Sequence, residues 1–397
     1  MKKIIIFSFP LLFSLFVMFF SLNETMWIKL WGDYFTVPPQ IPPFSDLDAI
    51  SRALTSKQQG FNPYIDNPYD LTNRTYVYPS IWLYFFDLFN LNRKINFQIF
   101  NAILIYFYAL IYLKLAYDIN KKAFSIILSI LFFSSASMLA VERLNIEIII
   151  FILIYFLASS NSFKNQFILY FIALYGKLYP IFSVFIFLKN IKILLLMILL
   201  SFLLLFIIRE EIFLLIKNGN EVALNIAYGV PTLTKGMWYY SKKLGYFLND
   251  ENYKAFKYIM IFLASIYATF IFLIKFKFGD KSVLEKISLE EKLFICGGGI
   301  FIGRFINFSN IDYGLIFLVF TLPYLLKDKI TYLKIISLVL IAISFNSIWF
   351  DLFEGDRFTY TYLALALFIH SIKIIIFSAI CYYYGEILNN HIKIKFK

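Results

Sequence analysis

Residues 44–82 read FSDLDAISRALTSKQQGFNPYIDNPYDLTNRTYVYPSIW. This run of Asp, Asn-Pro, Tyr and Arg lies between one apolar segment, residues 4–22, and a long series of others. Nearly all the remaining sequence is apolar enough to be read as membrane-spanning material, but this stretch is not. It fixes where the chain leaves the bilayer and where chemistry is to be sought.

Working outward, apolar segments recur at 95–117, 123–141, 146–160, 166–178, 179–188, 191–208, 255–274, 293–306, 311–326, 331–349 and 359–383. A helix needs about 20 apolar residues to cross a bilayer. The pattern predicts an all-α polytopic membrane protein of about 11–13 transmembrane helices, forming one transmembrane domain over residues 1–397. Segments under that length imply broken helices, because backbone in lipid must satisfy its own hydrogen bonds. Segment 80–91 is too short to cross and reads as an interfacial or half-inserted helix.

The 397 residues are 60% hydrophobic and carry a net charge of +12. The Lys and Arg residues sit between the apolar runs, as the positive-inside rule requires, which argues against nucleic acid as a partner. Lys-dominated breaks (Lys2–Lys3, Lys121–Lys122, Lys164, Lys189 with Lys192, 275–292, 327–334 and the C-terminal tail) mark the cytoplasmic side, with the N-terminus inside. Segment 4–22 is long and lacks a small-residue cleavage site, so it reads as a retained signal anchor. The expected location is the inner (cell) membrane of a bacterium. The outer side then holds 23–94, 141–145, 175–180, 209–254, 303–313 and 350–358. Ionisable residues are expected at span ends, with Lys114 and Asp87 the nearest exceptions.

Four short outer loops each keep one cation: Arg143, Lys177, Arg304 and Arg357. Either these pair with nearby acids (Glu142, Asp312, Asp356) or they serve an anionic ligand. In the first outer loop, Ser45 and Asp48 fit a capping box, and 46–59 reads as a short juxtamembrane helix ending at Gly60. Leu47, Ile50, Ala53 and Leu54 share one face, which predicts a helix lying flat on the membrane. The near-repeat NPYID/NPYDL (62–71) reads as a rigid turn, and Tyr76, Tyr78 and Trp82 as interfacial anchors. Asp46 and Asp48 complement the helix dipole, and either could take a proton from an attacking hydroxyl. In the second large outer loop, 209–254, Trp238 and Tyr239 read as anchors. Gly297–Gly299 read as a packing or broken-helix element. Cys296 and Cys381, and His370 and His391, are isolated, so neither a disulfide framework nor metal-ligand spacing is present.

The pieces FSDLDAI, GFNPY, YVYPSIW, ERLNIE, GKLYP and INFSNIDY, in that order, resemble the GT-C superfamily of membrane glycosyltransferases. Within it the chain is most similar to glycosyltransferase family 87 and its bacterial relatives. The resemblance implies a sugar donor linked to a polyprenyl phosphate, a lipid or glycan acceptor, and inverting transfer on the outer face. It implies Asp46 as general base with Asp48 as runner-up. Arg74, Arg143, Lys177, Arg304 and Arg357 would bind the lipid phosphate, and Asn62, Asn67, Tyr78, Asn145 and Asn307 the sugar. No cofactor is called for; a divalent cation stays open, although the acids are too dispersed to define a site. Family members often carry Arg-Gly-Asn where this chain has Arg143-Leu144-Asn145, and without the glycine the loop is not free to adopt the same backbone. The alternatives are a lipid-linked saccharide flippase or other transporter, and a polysaccharide polymerase or ligase.

Overall fold

The computed structural model describes residues 2–119, 122–219, 227–243, 250–275, 287–307, 310–327, 331–346 and 360–391. The described chain is overwhelmingly helical. Among the described residues, three helices are long and apolar enough to cross a membrane: Lys94–Ile119, Asn252–Ile274 and Leu365–His391. Two bent pairs raise this to as many as five: Phe124–Phe132 with Ser135–Arg143, bent by 48°, and Ile191–Ile207 with Arg209–Asn218, bent by 68°. Several apolar segments form shorter helices, such as Ile146–Ser159 and Tyr332–Phe345. Others form 3-10 helix, at Tyr179–Phe187 and Asp312–Thr321. Apolar runs thus locate the elements, while composition does not reveal how many of them break.

The chain divides into two compact units, residues 1–178 with 199–220, and residues 179–198 with 221–397. In the first, the N-terminal helix packs along Lys94–Ile119, and Ile146–Ser159 pairs with Phe163–Gly176. Segment 80–91 contains one helix, Ile81–Leu88, of eight residues. At 1.5 Å per residue that is about 12 Å, well short of a bilayer. Trp82, Leu83 and Phe86 are buried, while Tyr84 and Leu88 face outward.

Helix Ser45–Gln58 forms as expected and stops just before Gly60, whose φ of +89° suits glycine. Its start differs from the capping box. Phe44 occupies the N-cap position at φ 61°, and the Ser45 hydroxyl donates to Gln40 Oε1 at 2.5 Å. The apolar face is real, but protein covers it: Leu47, Ile50, Ala53 and Leu54 are buried, and the helix packs on Ile81–Leu88 and Ser135–Arg143. Amphipathicity identifies the face to be covered, not what covers it. Ahead of this helix, Glu24–Ile28 runs into a π-helical turn, Lys29–Tyr34, seating Trp27 and Trp31 edge to face at 5.2 Å.

In the second unit, Leu289–Asn307 is a continuous helix packed on Tyr179–Phe187 and Asp312–Thr321. Gly297–Gly299 make that packing close and do not break the helix. A Cβ on Gly297 would lie 2.4 Å from the Phe317 carbonyl oxygen, and one on Gly299 2.6 Å from that of Phe182. Among the described residues, the structure departs from an all-helical reading where Ala227–Tyr228 pairs antiparallel with Asn310–Ile311.

Candidate functional site

In the first unit, three turns converge on one polar cluster. Asp46 enters from the first turn of Ser45–Gln58. Asn145 enters from the junction between Ser135–Arg143 and Ile146–Ser159. Tyr78 comes from the extended stretch after the Asn-Pro turns.

Asn145 orients the cluster. Its Oδ1 accepts the Glu147 backbone N–H at 3.0 Å, capping helix Ile146–Ser159. With the oxygen so engaged, the amide nitrogen donates to Asp46 Oδ2 at 2.6 Å and to the Tyr78 hydroxyl at 3.3 Å. The backbone turn that permits this is at Leu144, with φ 45° and ψ 50°. Leu144 takes this left-handed conformation without the freedom that a glycine would have there. That costs roughly 1–2 kcal/mol, offset at Leu144 by complete burial of its side chain.

Burial is the largest influence on the Asp46 carboxyl and raises it above the usual carboxylate range; the Asn145 hydrogen bond and the charges of Arg143, Lys177 and Arg74 pull the other way. Those three cations are therefore close enough to act on Asp46. Lys177, at the end of Phe163–Gly176, lies 3.7 Å from Glu147 Oε1 and 4.9 Å from the centroid of the Tyr78 ring. Arg143 has a different environment. Its Nε is 3.0 Å from Glu142 Oε2, and its Nη2 donates to the Pro38 carbonyl at 3.0 Å. Glu142, fully buried, also accepts the Gln40 N–H at 2.7 Å. The Glu142–Arg143 pair thus ties down the segment that leads into Asp46.

The other expected residues are placed elsewhere. Asp48 pairs with Arg52 one turn along its own helix at 2.5 Å. Arg74, whose charge still reaches Asp46, is itself exposed and pairs with Asp70 at 3.4 Å. Asn62 is exposed and accepts the Tyr64 N–H. Asn67 is buried and holds the loop, accepting from the Ser56 hydroxyl at 2.6 Å and donating to the Arg74 carbonyl at 3.0 Å. Arg357 lies outside the described residues.

The second unit holds its own buried polar group. Arg304 is 2% exposed; its Nε donates to Asn310 Oδ1 at 2.9 Å, and Asn310 returns a bond to the Arg304 carbonyl. The guanidinium carbon sits 4.8 Å from the Tyr179 ring centroid, and a Cβ on Gly314 would fall 2.1 Å from Nη2. Asn307 is exposed at the helix end, donating to the Gly303 carbonyl. Asp312, an acid near Arg304 in sequence, receives Lys373: Nζ lies 2.7 and 3.0 Å from its two oxygens and 3.2 Å from the Ala227 carbonyl. Lys373 is on the long apolar helix Leu365–His391 and is 1% exposed. This corrects the expectation that ionisable residues keep to span ends. The sequence signal was a lone Lys in SIKIIIF, unreadable without its partner 61 positions away.

Among the described residues, no three His, Cys, Asp or Glu side chains group as a metal site. The chain matches no family model, and neither a curated protein nor a solved structure matches it.

Proposed function

We propose that the protein is a membrane glycosyltransferase that moves a sugar from a polyprenyl-phosphate donor to an acceptor hydroxyl, with Asp46 as general base. The observation that carries the reading is a half-buried carboxylate oriented by Asn145 and within the influence of Arg143 and Lys177. The residues that make this cluster are those on which the family resemblance rests.

The chemistry asks for such an arrangement. The acceptor oxygen attacks the sugar's C1 as the bond from C1 to the phosphate oxygen breaks. The bonding pair leaves with the lipid phosphate, and the hydroxyl proton passes to Asp46. Asn145 occupies Oδ2, so Oδ1 is the oxygen assigned to the proton. Lys177 is assigned to the departing phosphate, whose charge a fixed cation stabilises most where water is scarce. Arg143, tied on two sides, is assigned to holding the Pro38–Ser45 segment. Tyr78 and Asn145 are assigned to the sugar's side of the site, Asn145 acting through Asp46 and Tyr78, and transfer inverts the anomeric centre. The site is read as opening on the outer face of a bacterial inner membrane, within a GT-C-like bundle.

The test is to supply the purified protein in vesicles with polyprenyl-phosphate sugars and a set of glycan and lipid acceptors. The expected result is a new glycosidic bond together with release of the polyprenyl phosphate. Absence of any such product under all donors would remove the transferase reading.

One observation favours a second reading. A lysine buried within a long apolar helix and paired with an aspartate of another element is a common mark of a transport pathway. Under that reading, lipid-linked sugar crosses between leaflets in the same vesicles with no new bond formed.

A further inference from the structure

The helix that opens the second large outer segment, Arg209–Asn218, is bonded to the first outer loop by its polar side chains. Glu211 is the centre of this contact. Its Oε1 accepts the Ser80 backbone N–H, and its Oε2 accepts the Ser80 hydroxyl at 3.1 Å. The Tyr64 hydroxyl lies 3.3 Å from the same carboxylate and 2.9 Å from the Tyr78 carbonyl. The Ser80 hydroxyl also meets the Tyr175 hydroxyl at 3.0 Å. About two turns further on, Asn218 donates to the Tyr64 carbonyl at 2.8 Å and to that of Tyr76 at 3.4 Å.

These bonds converge on one short segment. Tyr78, Pro79 and Ser80 have little regular structure of their own; they turn into helix Ile81–Leu88. Beyond them, the Trp82 indole donates to the Gly176 carbonyl at 2.9 Å, immediately before Lys177. A Cβ on Gly176 would lie 2.7 Å from the Trp82 ring. The segment is therefore fixed by Trp82 on one side and by Glu211 on the other. Immediately before these two fixings stands Tyr78, with its ring beneath Lys177 and its hydroxyl on Asn145.

We infer that Glu211 is a positioning residue for the proposed site: it holds the Tyr78–Ser80 turn so that Tyr78 reaches Asn145 and Lys177. A carboxylate suits the task because it takes two donors from one residue, Ser80, and fixes both the backbone and the side chain of the turn. A carboxylate that accepts backbone and hydroxyl hydrogens contributes through geometry as well as charge. Glutamine keeps an oxygen acceptor for the Ser80 N–H, whereas alanine removes it. The functional part of this inference rests on the transferase reading; the placement of Tyr78 does not.

The experiment separates the two. Cys296 and Cys381 are both buried, so an introduced surface cysteine reports cleanly. Val77→Cys, exposed and adjacent to Tyr78, carries a spin label; Tyr34→Cys, exposed in the earlier loop, is the control position. Glu211→Ala is expected to mobilise the label at 77 but not at 34, and Glu211→Gln to leave both largely as in the parent. Ser80→Ala is expected to mobilise the label at 77 less than Glu211→Ala does, because the backbone bond to Glu211 survives. In the transfer assay, Glu211→Ala is expected to lower kcat/KM at least tenfold, with most of the rate recovered in Glu211→Gln. An unchanged label at 77 in Glu211→Ala overturns the inference outright. A mobile label with unchanged transfer overturns the role in catalysis while leaving the transferase intact. If the parent protein transfers no sugar, the transferase reading fails, and the label alone decides whether Glu211 places Tyr78.

Discussion

Asn145→Asp changes one atom pair at the point where the cluster is organised. Aspartate is as good an N-cap as asparagine, so the bond to the Glu147 N–H and the start of Ile146–Ser159 survive. The other end of the side chain reverses from donor to acceptor. Where the amide nitrogen stands 2.6 Å from Asp46 Oδ2, a carboxylate oxygen would face a carboxylate oxygen. Two carboxylates so close do not both ionise; they hold one proton between them and titrate as a pair. The folded variant then binds more protons than its unfolded chain at neutral pH, so its stability falls as pH rises. Asn145→Ala behaves differently. It loses the cap, worth about 0.5–2 kcal/mol, and a hydrogen bond to a charged group, worth about 1.5–3 kcal/mol. For a unit of this size, a loss of that order lowers the midpoint of unfolding by roughly 5–15 °C. The assay is thermal unfolding of the purified protein in detergent between pH 4 and pH 8. Asn145→Asp is expected to approach the parent at the acid end and to fall progressively below it toward pH 8. Asn145→Ala is expected to be destabilised throughout. An Asn145→Asp variant that tracks the parent across the range would refute the geometry, because it would mean that the amide nitrogen does not face Asp46.

Lys373→Met strands a fully buried Asp312 and is expected to cost about 3–5 kcal/mol, two to four decades in the unfolding constant, while Lys373→Met with Asp312→Asn recovers most of the loss; equal loss in single and double variants would contradict a direct pair. Gly297→Ala drives a methyl group to within 2.4 Å of the Phe317 carbonyl oxygen and is expected to destabilise by about 1–3 kcal/mol. The control is Gly236→Ala, in helix Val230–Lys243, where nothing lies within 4 Å; it is expected to be neutral or stabilising in the same unfolding assay.

Much of the helical framework was legible because apolar runs and their polar breaks are local properties. Helix Ser45–Gln58 could be read from its apolar period and Gly60, and the turn after it from two Asn-Pro pairs. What escaped is what depends on contacts distant in sequence. Ser45 looks like a cap because Asp48 follows three residues on, yet its hydroxyl finds Gln40, and no local rule anticipates that competition. The apolar face of Ser45–Gln58 could be read, but the neighbours that bury it could not. Arg143 with Glu142 is legible as adjacent opposite charges, and the pair forms. For Asp312 the nearby cation in sequence is Arg304, and nothing local announces that it takes Lys373, a residue hidden in an apolar run. Of the sugar and phosphate candidates, Asp46, Tyr78, Asn145, Arg143 and Lys177 lie in one neighbourhood of the first unit. Asn67 was chosen for the same polar chemistry but serves the loop. Residue type alone does not separate a group that binds a ligand from one that holds a turn. Glu211, which reaches Ser80 from 131 positions away, carried no signal beyond being an acid in a helix's first turn.

The most direct test of the central claim is sugar transfer by Asp46→Asn, assayed beside the parent protein with a polyprenyl-phosphate sugar. Asparagine still accepts from Asn145, and it removes a carboxylate that burial disfavours, so the variant is expected to unfold no earlier than the parent at pH 8. The account predicts that this folded variant loses transfer by about 10²–10⁴-fold, the usual contribution of a positioned base. Transfer at the parent rate by folded Asp46→Asn would contradict it.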